Sequence, residues 1–472
     1  MKDFLAELRE QEEKLLNCVH CGFCLPACPT YTRLGDEADS PRGRLHLMLA
    51  VVNGRLEASS GAFHTHLDRC LGCRACESVC PSGVEYGHLL EGAREVAVHA
   101  HGKGLLDRTL SAVMASPALL SPAMALTRIL RATGFPAAAA QRLPSAGRLG
   151  QLRLGMGMVA STEEPGILGA FRRQKSGIRS PSPQGGAAPG EQGEAGGGRD
   201  GDGGRDGPSG GKAVRGQSLG EGRSTAVLLG CVQEGLLSRV NRATVRVLEA
   251  NGFRIVHVAD QRCCGAIHAH TGDLAGAREL ARANIRAFER AGVDVVAVNA
   301  AGCGAIMKEY PHLLAGDGEF APRARALVEG VKDISELLAQ PGLRRGAPLP
   351  LTVTYDAPCH LLHAQRISRE PEDLLQSIPG LTLLPMANRD ECCGGAGVYG
   401  ITHPELGGAI GGDKVRAVLE TGAEVVATGN PGCMMQIGAG LKMEGAGVDV
   451  VHPVELLDLS YQRAGFYAAT AV

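Results

Sequence analysis

The sequence has little excess charge of either sign and no long apolar run. Its 472 residues carry a formal net charge of −2, so the basic excess that nucleic-acid-binding proteins direct at phosphates is missing. No apolar run reaches the ~18 residues that a transmembrane helix needs, and the charged start MKDFLAELREQEEKLL lacks the apolar core of a secretory signal. We therefore predict a cytoplasmic protein of roughly three domains, with reduced thiols and no nucleic-acid partner.

The nearest approach to a membrane span is the stretch Ala112 to Leu130, which Pro117 and Pro122 interrupt. Such a stretch forms either a helical hairpin buried in the protein or a helical surface that lies on lipid. We predict the buried hairpin, because a soluble chain more often buries an apolar stretch. The alternative would place the protein peripherally on the inner face of the cell membrane.

The sequence also lacks a nucleotide-binding glycine motif. No G-x-G-x-x-G follows a predicted strand, and Gly211-Lys212-Ala213 lacks the Ser or Thr that ends a phosphate-binding loop. The glycines of residues 176–223 instead stand among Pro, Ser and balanced charge, which is typical of a flexible tether. We therefore predict a helical connector over residues 111–175, a linker over 176–223, and no pocket for FAD or NAD in this chain.

Cysteine, in contrast, is abundant and ordered. Eight of the sixteen cysteines form two runs that read C-x2-C-x2-C-x3-C-P. In bacterial two-cluster ferredoxins this run holds [4Fe–4S] clusters, and the fourth cysteine of each run ligates the other cluster. We therefore predict two [4Fe–4S] clusters within residues 1–110, one bound by Cys18, Cys21, Cys24 and Cys80, the other by Cys70, Cys73, Cys76 and Cys28. Zinc sites and disulfides fit less well, because structural zinc takes its ligands from paired C-x2-C units.

The other eight cysteines form two matched sets, Cys231, Cys263, Cys264 and Cys303, then Cys359, Cys392, Cys393 and Cys433. Corresponding members are 128 to 130 residues apart, which predicts a duplicated module over residues 224–340 and 348–465. Buried cysteines that act only as small apolar residues are the alternative. Four matched thiols in each of two copies favour a further Fe–S site in one or both modules.

Short β-branched runs alternate with segments of helical apolar period in both modules. The predicted strands are residues 226–229, 254–258, 293–298, 351–355, 382–384 and 424–427, and the predicted helices are 238–250, 273–291 and 405–421. This alternation predicts an α/β fold with a mostly parallel sheet in each module. Cys231, Cys303, Cys359 and Cys433 then follow strand carboxyl ends, where such sheets build ligand sites. We expect helices to begin just after Cys303 and Cys433, where a helix N-terminus favours a thiolate.

Several phrases resemble one known family. They are Cys18-Val19-His20-Cys21-Gly22-Phe23-Cys24, Ser40-Pro41-Arg42-Gly43-Arg44 and Gly302-Cys303-Gly304-Ala305. The chain resembles the iron–sulfur subunit of glycolate oxidase over nearly its whole length except the linker. The resemblance implies a mainly helical ferredoxin-type domain, which agrees with room for a helix at residues 42–52. It also implies a subunit that takes electrons from FAD-containing partners oxidising glycolate to glyoxylate and passes them towards the membrane quinone pool. Such a subunit has no substrate-oxidising site and no catalytic residue of its own.

The two modules resemble the cysteine-rich CCG domains of the heterodisulfide reductase catalytic subunit. There the motif ends in C-x2-C and binds a non-cubane cluster, whereas Ile306 and Gln436 stand at the last cysteine position here. A conventional cluster, an incomplete site and the non-cubane cluster therefore all stay open. One alternative function is two-electron chemistry on a disulfide or quinone-like acceptor, with His360, His268 or His270 as the acid. Another is the same relay serving a lactate or glycerol 3-phosphate dehydrogenase.

Overall fold

The computed structural model of the protein describes residues 5–145, 147–175 and 219–467. In the N-terminal part and the connector all the described regular elements are helical, including a 3-10 turn at Glu37–Asp39. Their helices are α1 Ala6–Glu10, α2 Glu12–Leu16, α3 Tyr31–Leu34, α4 Pro41–Val52, α5 Gly61–Asp68, α6 Ala75–Ser78, α7 Tyr86–His101, α8 Leu105–Ala115, α9 Pro117–Ala132, α10 Phe135–Arg142, α11 Gly147–Ala160 and α12 Gly166–Lys175. Residues 176–218 of the predicted linker lie outside the described residues.

Module 1, residues 224–338, alternates strands with helices. Its elements are β1 Ser224–Val227, α13 Cys231–Ala250, β2 Arg254–Ile255, α14 Ala266–His270, α15 Leu274–Ala291, β3 Val295–Val298, α16 Ala301–Lys308, α17 Tyr310–Leu313, α18 Phe320–Gly330, β4 Val331–Asp333 and α19 Ile334–Leu338. All strand pairs are parallel, in the order β2-β1-β3-β4, with Thr225 opposite Val295.

Module 2, residues 351–463, repeats this arrangement. Its elements are β5 Leu351–Asp356, a π-helical turn His360–Ala364, α20 Glu370–Gln376, β6 Leu381–Leu384, α21 Tyr399–Thr402, α22 Pro404–Glu420, β7 Val425–Thr428, α23 Pro431–Met443, β8 Asp449–Val451 and α24 Pro453–Arg463. The sheet is again parallel, in the matching order β6-β5-β7-β8. The predicted α/β fold with two parallel sheets is therefore confirmed.

Two predicted elements differ from the observed ones. The strand predicted over residues 254–258 is only two residues long, because β2 is an edge strand that pairs with β1 alone. The helix predicted over 238–250 is the second half of α13, which begins at Cys231. A break at Leu237, with φ −123° and ψ 29°, separates the halves, so the regular apolar period begins only after it.

The two modules share one apolar core. Residues from both sheets, with α13 and α24 between them, form a continuous buried cluster that includes Val240, Val353 and Leu457. Arg246 reaches across to Asp458, with Nη2 to Oδ2 at 2.6 Å, and Asn251 Nδ2 donates to Tyr461 Oη at 3.1 Å. The modules are therefore held as one body, which fixes the relative position of their cysteines.

The connector hairpin, which we define as α8 and α9, is bent at Pro117 as predicted, but Pro122 lies inside α9 and does not interrupt it, and the predicted burial is incomplete. The two helices are bent by 106° at Ser116. Leu105, Leu126 and Ile129 are 80%, 68% and 65% exposed, while Met114 and Met124 on the inner side are buried. Within the described ranges no single helix is long and apolar enough to cross a membrane, although this bent pair reaches that length and composition together. The expectation of a buried hairpin is wrong for its outer face, because the modules cover only one side of it.

Candidate iron–sulfur centres

The eight N-terminal thiols gather around two neighbouring cavities. One cavity is bordered by Cys18, Cys21, Cys24 and Cys80, the first predicted ligand set. The other is bordered by Cys28, Cys70, Cys73 and Cys76, the second predicted set. Cys76 borders both cavities. The first cavity thus has the first three cysteines of its own run with Cys80, and the second has those of the other run with Cys28, as in the crossed arrangement of a two-cluster ferredoxin. The thiols lie where the sequence places them, and their role as cluster ligands remains a prediction.

The same backbone turn shapes both cysteine runs. His20 and Gly22 have φ of 55° and 88°, and Gly72 and Arg74, at the matching places of the second run, have φ of 64° and 63°. A left-handed residue between successive cysteines turns the chain tightly, so that three thiols face one cavity. His20 and Arg74 adopt this conformation without being glycine, which costs of order 1 kcal/mol each. The repeat of such a turn at matched positions supports a common ligand in each cavity.

A buried cation lies beside the second group of thiols. The side chain of Arg44 is 1% exposed, and its guanidinium pairs with Asp39, with Nη2 to Oδ1 at 3.2 Å. The Nη1 of Arg44 also lies 3.9 Å from the Sγ of Cys28. Burial raises the pKa of the Cys70 thiol, but Arg44 and Arg94, together with hydrogen bonds from Gly72 and Tyr86, outweigh it and leave that pKa lowered. This surrounding positive charge fits the thiolates that a [4Fe–4S] cluster requires.

Each module brings its four thiols together at the carboxyl edge of the sheet. In module 1 the Sγ atoms of Cys263 and Cys231 are 3.4 Å apart, and Cys264 is within hydrogen-bonding reach of Cys303. The predicted helix starts are slightly displaced, because α16 begins at Ala301 and α23 at Pro431, two residues before the cysteine rather than after it. The thiols therefore lie in the first turn of these helices.

Module 2 follows the same plan. The Sγ atoms of Cys393 and Cys433 are 3.2 Å apart, and Cys392 lies within hydrogen-bonding reach of Cys359. Hydrogen bonds from Cys392 and Cys433, together with the charge of Lys414, hold the pKa of Cys393 well below its ordinary value although the thiol is buried.

A buried lysine in α22 of module 2 is a feature that the sequence did not predict. Lys414 Nζ pairs with Asp356 Oδ1 at 3.0 Å, and both side chains are 1% exposed. Burial lowers the pKa of Lys414, but Asp356 and the nearby thiols more than offset this, so its pKa is raised and it stays charged. A single lysine inside the otherwise apolar face of a predicted helix was the signal that could have found it.

Gln436 occupies the place of the fifth cysteine of the CCG motif. Its side chain is 4% exposed, its Oε1 has no hydrogen-bond partner, and a Cβ at Gly400 would come within 2.9 Å of that oxygen. A Cβ at Gly395 would likewise lie 3.4 Å from the Sγ of Cys393. Four thiols, an amide oxygen without a partner and the space left by two glycines together fit an Fe–S group in module 2. Such a group would supply one-electron transfer when bound.

The second ferredoxin group lies directly against module 2. Cys73 and Cys359 pack against one small apolar cluster, formed by Leu71, Cys392, Tyr399 and Ile410. The pKa of Cys73 is raised, first by burial and next by the charge of Cys359. Tyr399 Oη donates to the carbonyl of Arg69 at 2.7 Å. Two groups of thiols that are 286 residues apart in sequence, counted from Cys73 to Cys359, thus become neighbours.

The two modules also touch through their cysteine-bearing loops. Asn430 Oδ1 accepts a hydrogen bond from Gly302 N at 3.1 Å, and its Nδ2 donates to Cys433 Sγ at 3.5 Å. Gln365 Nε2 donates to the carbonyl of Ala301 at 2.9 Å. These contacts join the cysteine-bearing loops of the two modules, and the N-terminal domain contacts both modules, through Tyr399 in module 2 and Glu309 in module 1.

The histidines considered as acids lie in constrained surroundings. His360 Nε2 donates to the carbonyl of Gly72 at 3.0 Å. Burial, and then His270, lower the pKa of His360 to about 4, so it is neutral near pH 7. Burial also lowers the pKa of His268. His360 therefore ties module 2 to the loop between Cys70 and Cys73.

The amino-acid sequence matches two known domains and several known proteins. The 4Fe-4S dicluster domain matches residues 14–84, and the cysteine-rich CCG domain matches residues 225–308 and 353–438. The probable glycolate oxidase iron–sulfur subunit of Bacillus subtilis is 37% identical, with 98% of each chain covered. The chain belongs to the family of glycolate oxidase iron–sulfur subunits. The Escherichia coli glycolate oxidase iron–sulfur subunit is 30% identical, with 97% of each chain covered.

Shorter relatives of the glycolate oxidase iron–sulfur subunits align with part of the chain. Lactate utilization protein A of an Exiguobacterium species is 30% identical over 51% of this chain and 99% of its own length. The dicluster and CCG domains confirm the expected Fe–S cofactors and make the chain a subunit of an oxidoreductase complex.

Proposed function

We propose that the chain relays electrons from FAD-containing subunits, which oxidise glycolate to glyoxylate, towards a quinone-type acceptor. The packing of Cys73 and Cys359 against one apolar cluster carries this proposal. The order that we propose runs from the ferredoxin-type groups to module 2 and then to module 1, whose cysteine-bearing loops are joined by Asn430. Clusters held by the four groups of thiols would carry single electrons. The chain sets the distances between the groups of thiols, places buried cations beside them and keeps water away from them.

The donor end of the relay is proposed at Cys21. All sixteen cysteines lie in the described part of the chain, and Cys21 alone is exposed. Val19 and Phe23 beside it are 68% and 64% exposed. Exposed apolar side chains around an accessible redox site are typical of a surface that docks another protein. We assign this surface to the flavoprotein partner.

A lactate-oxidising complex is the second candidate. The lactate utilization proteins support it, but they correspond to about half of this chain. The relatives that cover 97% to 98% of the chain carry the glycolate name, so glycolate is the substrate that we propose for the partner.

Bleaching of the Fe–S absorbance in the native complex tests this function. The complex is purified under argon through a tag on this chain and mixed separately with glycolate, lactate and glycerol 3-phosphate. We expect glycolate to bleach the absorbance through a co-purifying flavoprotein. Bleaching by lactate or glycerol 3-phosphate alone would keep the relay and contradict glycolate as the substrate. No bleaching by any of the three would contradict the relay.

We also propose that the connector hairpin rests peripherally on the inner face of the cell membrane. Residues 105–160 contain six arginines and one aspartate, a net charge of +5 in a chain of net charge −2. Exposed leucines on one face and basic residues around them are the features of a helix that lies on anionic lipid.

Sedimentation with vesicles tests the membrane contact. The full chain is expected to pellet with vesicles of phosphatidylethanolamine and phosphatidylglycerol, and less so at high salt. Leu126→Glu combined with Ile129→Glu should weaken binding by about tenfold or more, because each buried side chain contributes roughly 1.5–3 kcal/mol. Leu419→Glu, an exposed leucine of module 2, is the matched control. A parent chain that stays in the supernatant, or equal loss in the control, would assign the hairpin face to a protein partner instead.

A further inference from the structure

A cavity of about 320 Å³ lies between the connector hairpin and module 1. The inner side of α8 and α9 forms one wall, with Met114, Leu120 and Met124. The opposite wall includes Cys231 and Cys263, two of the thiols of module 1. A molecule in this cavity would therefore touch the last cysteine group of the proposed relay.

The polar groups of the cavity are distributed unevenly. Gln261 is already hydrogen-bonded within module 1, because it donates to the carbonyls of Val227 and Val258 and accepts from Leu229 N. The charged residues at the lining, Arg128, Glu234 and Arg262, are all exposed. The interior is thus mainly apolar, and its charged side chains are at the solvent side. Such a site suits a flat apolar ring that carries carbonyl oxygens at its edge.

Access to the cavity also favours a lipid-soluble ligand. The two helices that form its wall carry the exposed apolar residues Leu119, Leu126 and Ile129 on their other side. A hairpin that rests on lipid would bring the cavity next to the membrane surface.

We propose that this cavity binds the head group of a quinone-type acceptor. The inference rests on the relay proposed above and names the place where its electrons leave. One quinone takes up two electrons, one after the other, and two protons from water at the exposed charged mouth, and becomes a quinol. The two electrons are those released when the partner converts glycolate to glyoxylate, so the reaction balances.

A second cavity of about 320 Å³ provides the comparison. It lies between the ferredoxin-type domain and both modules, and it borders Cys70. Lys103, Asp107 and His403 are among its lining residues, so it is less suited to an apolar ring.

The test fills each cavity with a tryptophan. Ala115 and Ser121 are exposed residues that border the proposed quinone cavity, Ala112 is exposed on α8 outside it, and Thr402 is exposed at the second cavity. Each full-length variant, with iron content equal to the parent, is reduced with dithionite, freed of excess reductant and mixed with decylubiquinone. Recovery of the Fe–S absorbance gives the rate of reoxidation. Ferricyanide, a small soluble oxidant, is used in parallel.

We expect Ala115→Trp and Ser121→Trp to slow reoxidation by decylubiquinone about tenfold or more. A tenfold loss of affinity corresponds to roughly 1.4 kcal/mol of binding free energy. Ferricyanide should act equally on all variants, and Ala112→Trp and Thr402→Trp should match the parent. Decylubiquinone should also raise the unfolding temperature of the parent but not of Ala115→Trp, since a ligand stabilises the state that it binds.

Three results would each overturn the quinone site. The first is reoxidation of Ala115→Trp and Ser121→Trp at the rate of the parent, and the second is slower reoxidation in Thr402→Trp alone. The third is an unfolding temperature of the parent that decylubiquinone does not shift. Dithionite replaces the flavoprotein in this experiment. If decylubiquinone does not reoxidise the chain as expected, the bleaching by glycolate is unaffected. If glycolate does not bleach the complex, the reoxidation by decylubiquinone can still be interpreted.

Discussion

Replacement of Cys73 by serine is expected to abolish turnover of the assembled glycolate oxidase while glycolate still reduces the flavin of the partner. Cys73 belongs to the second ferredoxin group and packs against the same residues as Cys359 of module 2. Loss of this thiol would remove a predicted cluster ligand at the place where the ferredoxin-type domain packs against module 2. We expect turnover to fall by about a hundredfold or more, since even residues that merely support a ligand cost ten- to a hundredfold.

Turnover with an artificial acceptor and rapid-scan absorbance of the flavin separate the two steps in the Cys73→Ser complex. Cys21→Ser is expected to behave in the same way, because it lies at the proposed donor end. Ser59→Ala, an exposed substitution in the same domain, is the control and should match the parent. Normal turnover in Cys73→Ser would contradict the relay, and loss of flavin reduction would show that the thiol instead supports assembly with the partner.

Replacement of Lys414 by methionine is expected to destabilise module 2 by about 3–5 kcal/mol, the usual cost of leaving a buried charge without its partner. Asp356 would remain buried, with only the hydroxyl of Thr428 to donate to it, at 2.8 Å. The same change removes a positive charge close to Cys393 and leaves a negative one, so the reduction potential of an Fe–S group in module 2 should fall. The shift in the denaturant midpoint and a redox titration followed by electron paramagnetic resonance measure the two effects.

Two further variants control the lysine prediction. Lys442→Met removes a lysine whose side chain is 37% exposed and whose nearest carboxylate, on Glu163, is 3.8 Å away, so it should cost at most about 1 kcal/mol. Lys414→Met combined with Asp356→Leu removes both charges and should recover much of the stability and of the potential. A double variant that is as unstable as Lys414→Met would show that packing, not charge pairing, is the role of the lysine.

The cysteine groups and the α/β repeat were predictable because both are local signals in the sequence. The spacing of each cysteine run determines its backbone turn. The alternation of strands and helices follows from the period of the apolar residues, so the predicted strands fall within a few residues of the observed ones. Arg44 and Lys414 were missed, because their burial depends on Asp39 and Asp356 being folded against them. The neighbourhood of Cys73 and Cys359 was likewise invisible, since no pattern in the sequence records which face of one domain meets the other.

For the connector hairpin, the sequence predicted the helices but not which of their faces is buried. Its apolar composition and Pro117 correctly predicted a bent pair of helices, whereas Pro122, which was also expected to interrupt the stretch, lies inside α9. Composition alone could not show that the modules cover only the inner face, where Met124 is buried, and leave Leu126 exposed. The outer face and the cavity beneath it became apparent only from the packing of α8 and α9 on module 1.

The iron and acid-labile sulfide content of the anaerobically purified full chain tests most directly whether all four cysteine groups form one relay. Two [4Fe–4S] clusters account for about eight irons per chain, four in each. We expect appreciably more than this, with the excess lost when Cys393 and Cys264 are replaced by serine and retained in the Ser59→Ala control. A content of about eight irons, unchanged by those two substitutions, would contradict a relay that continues through the CCG modules.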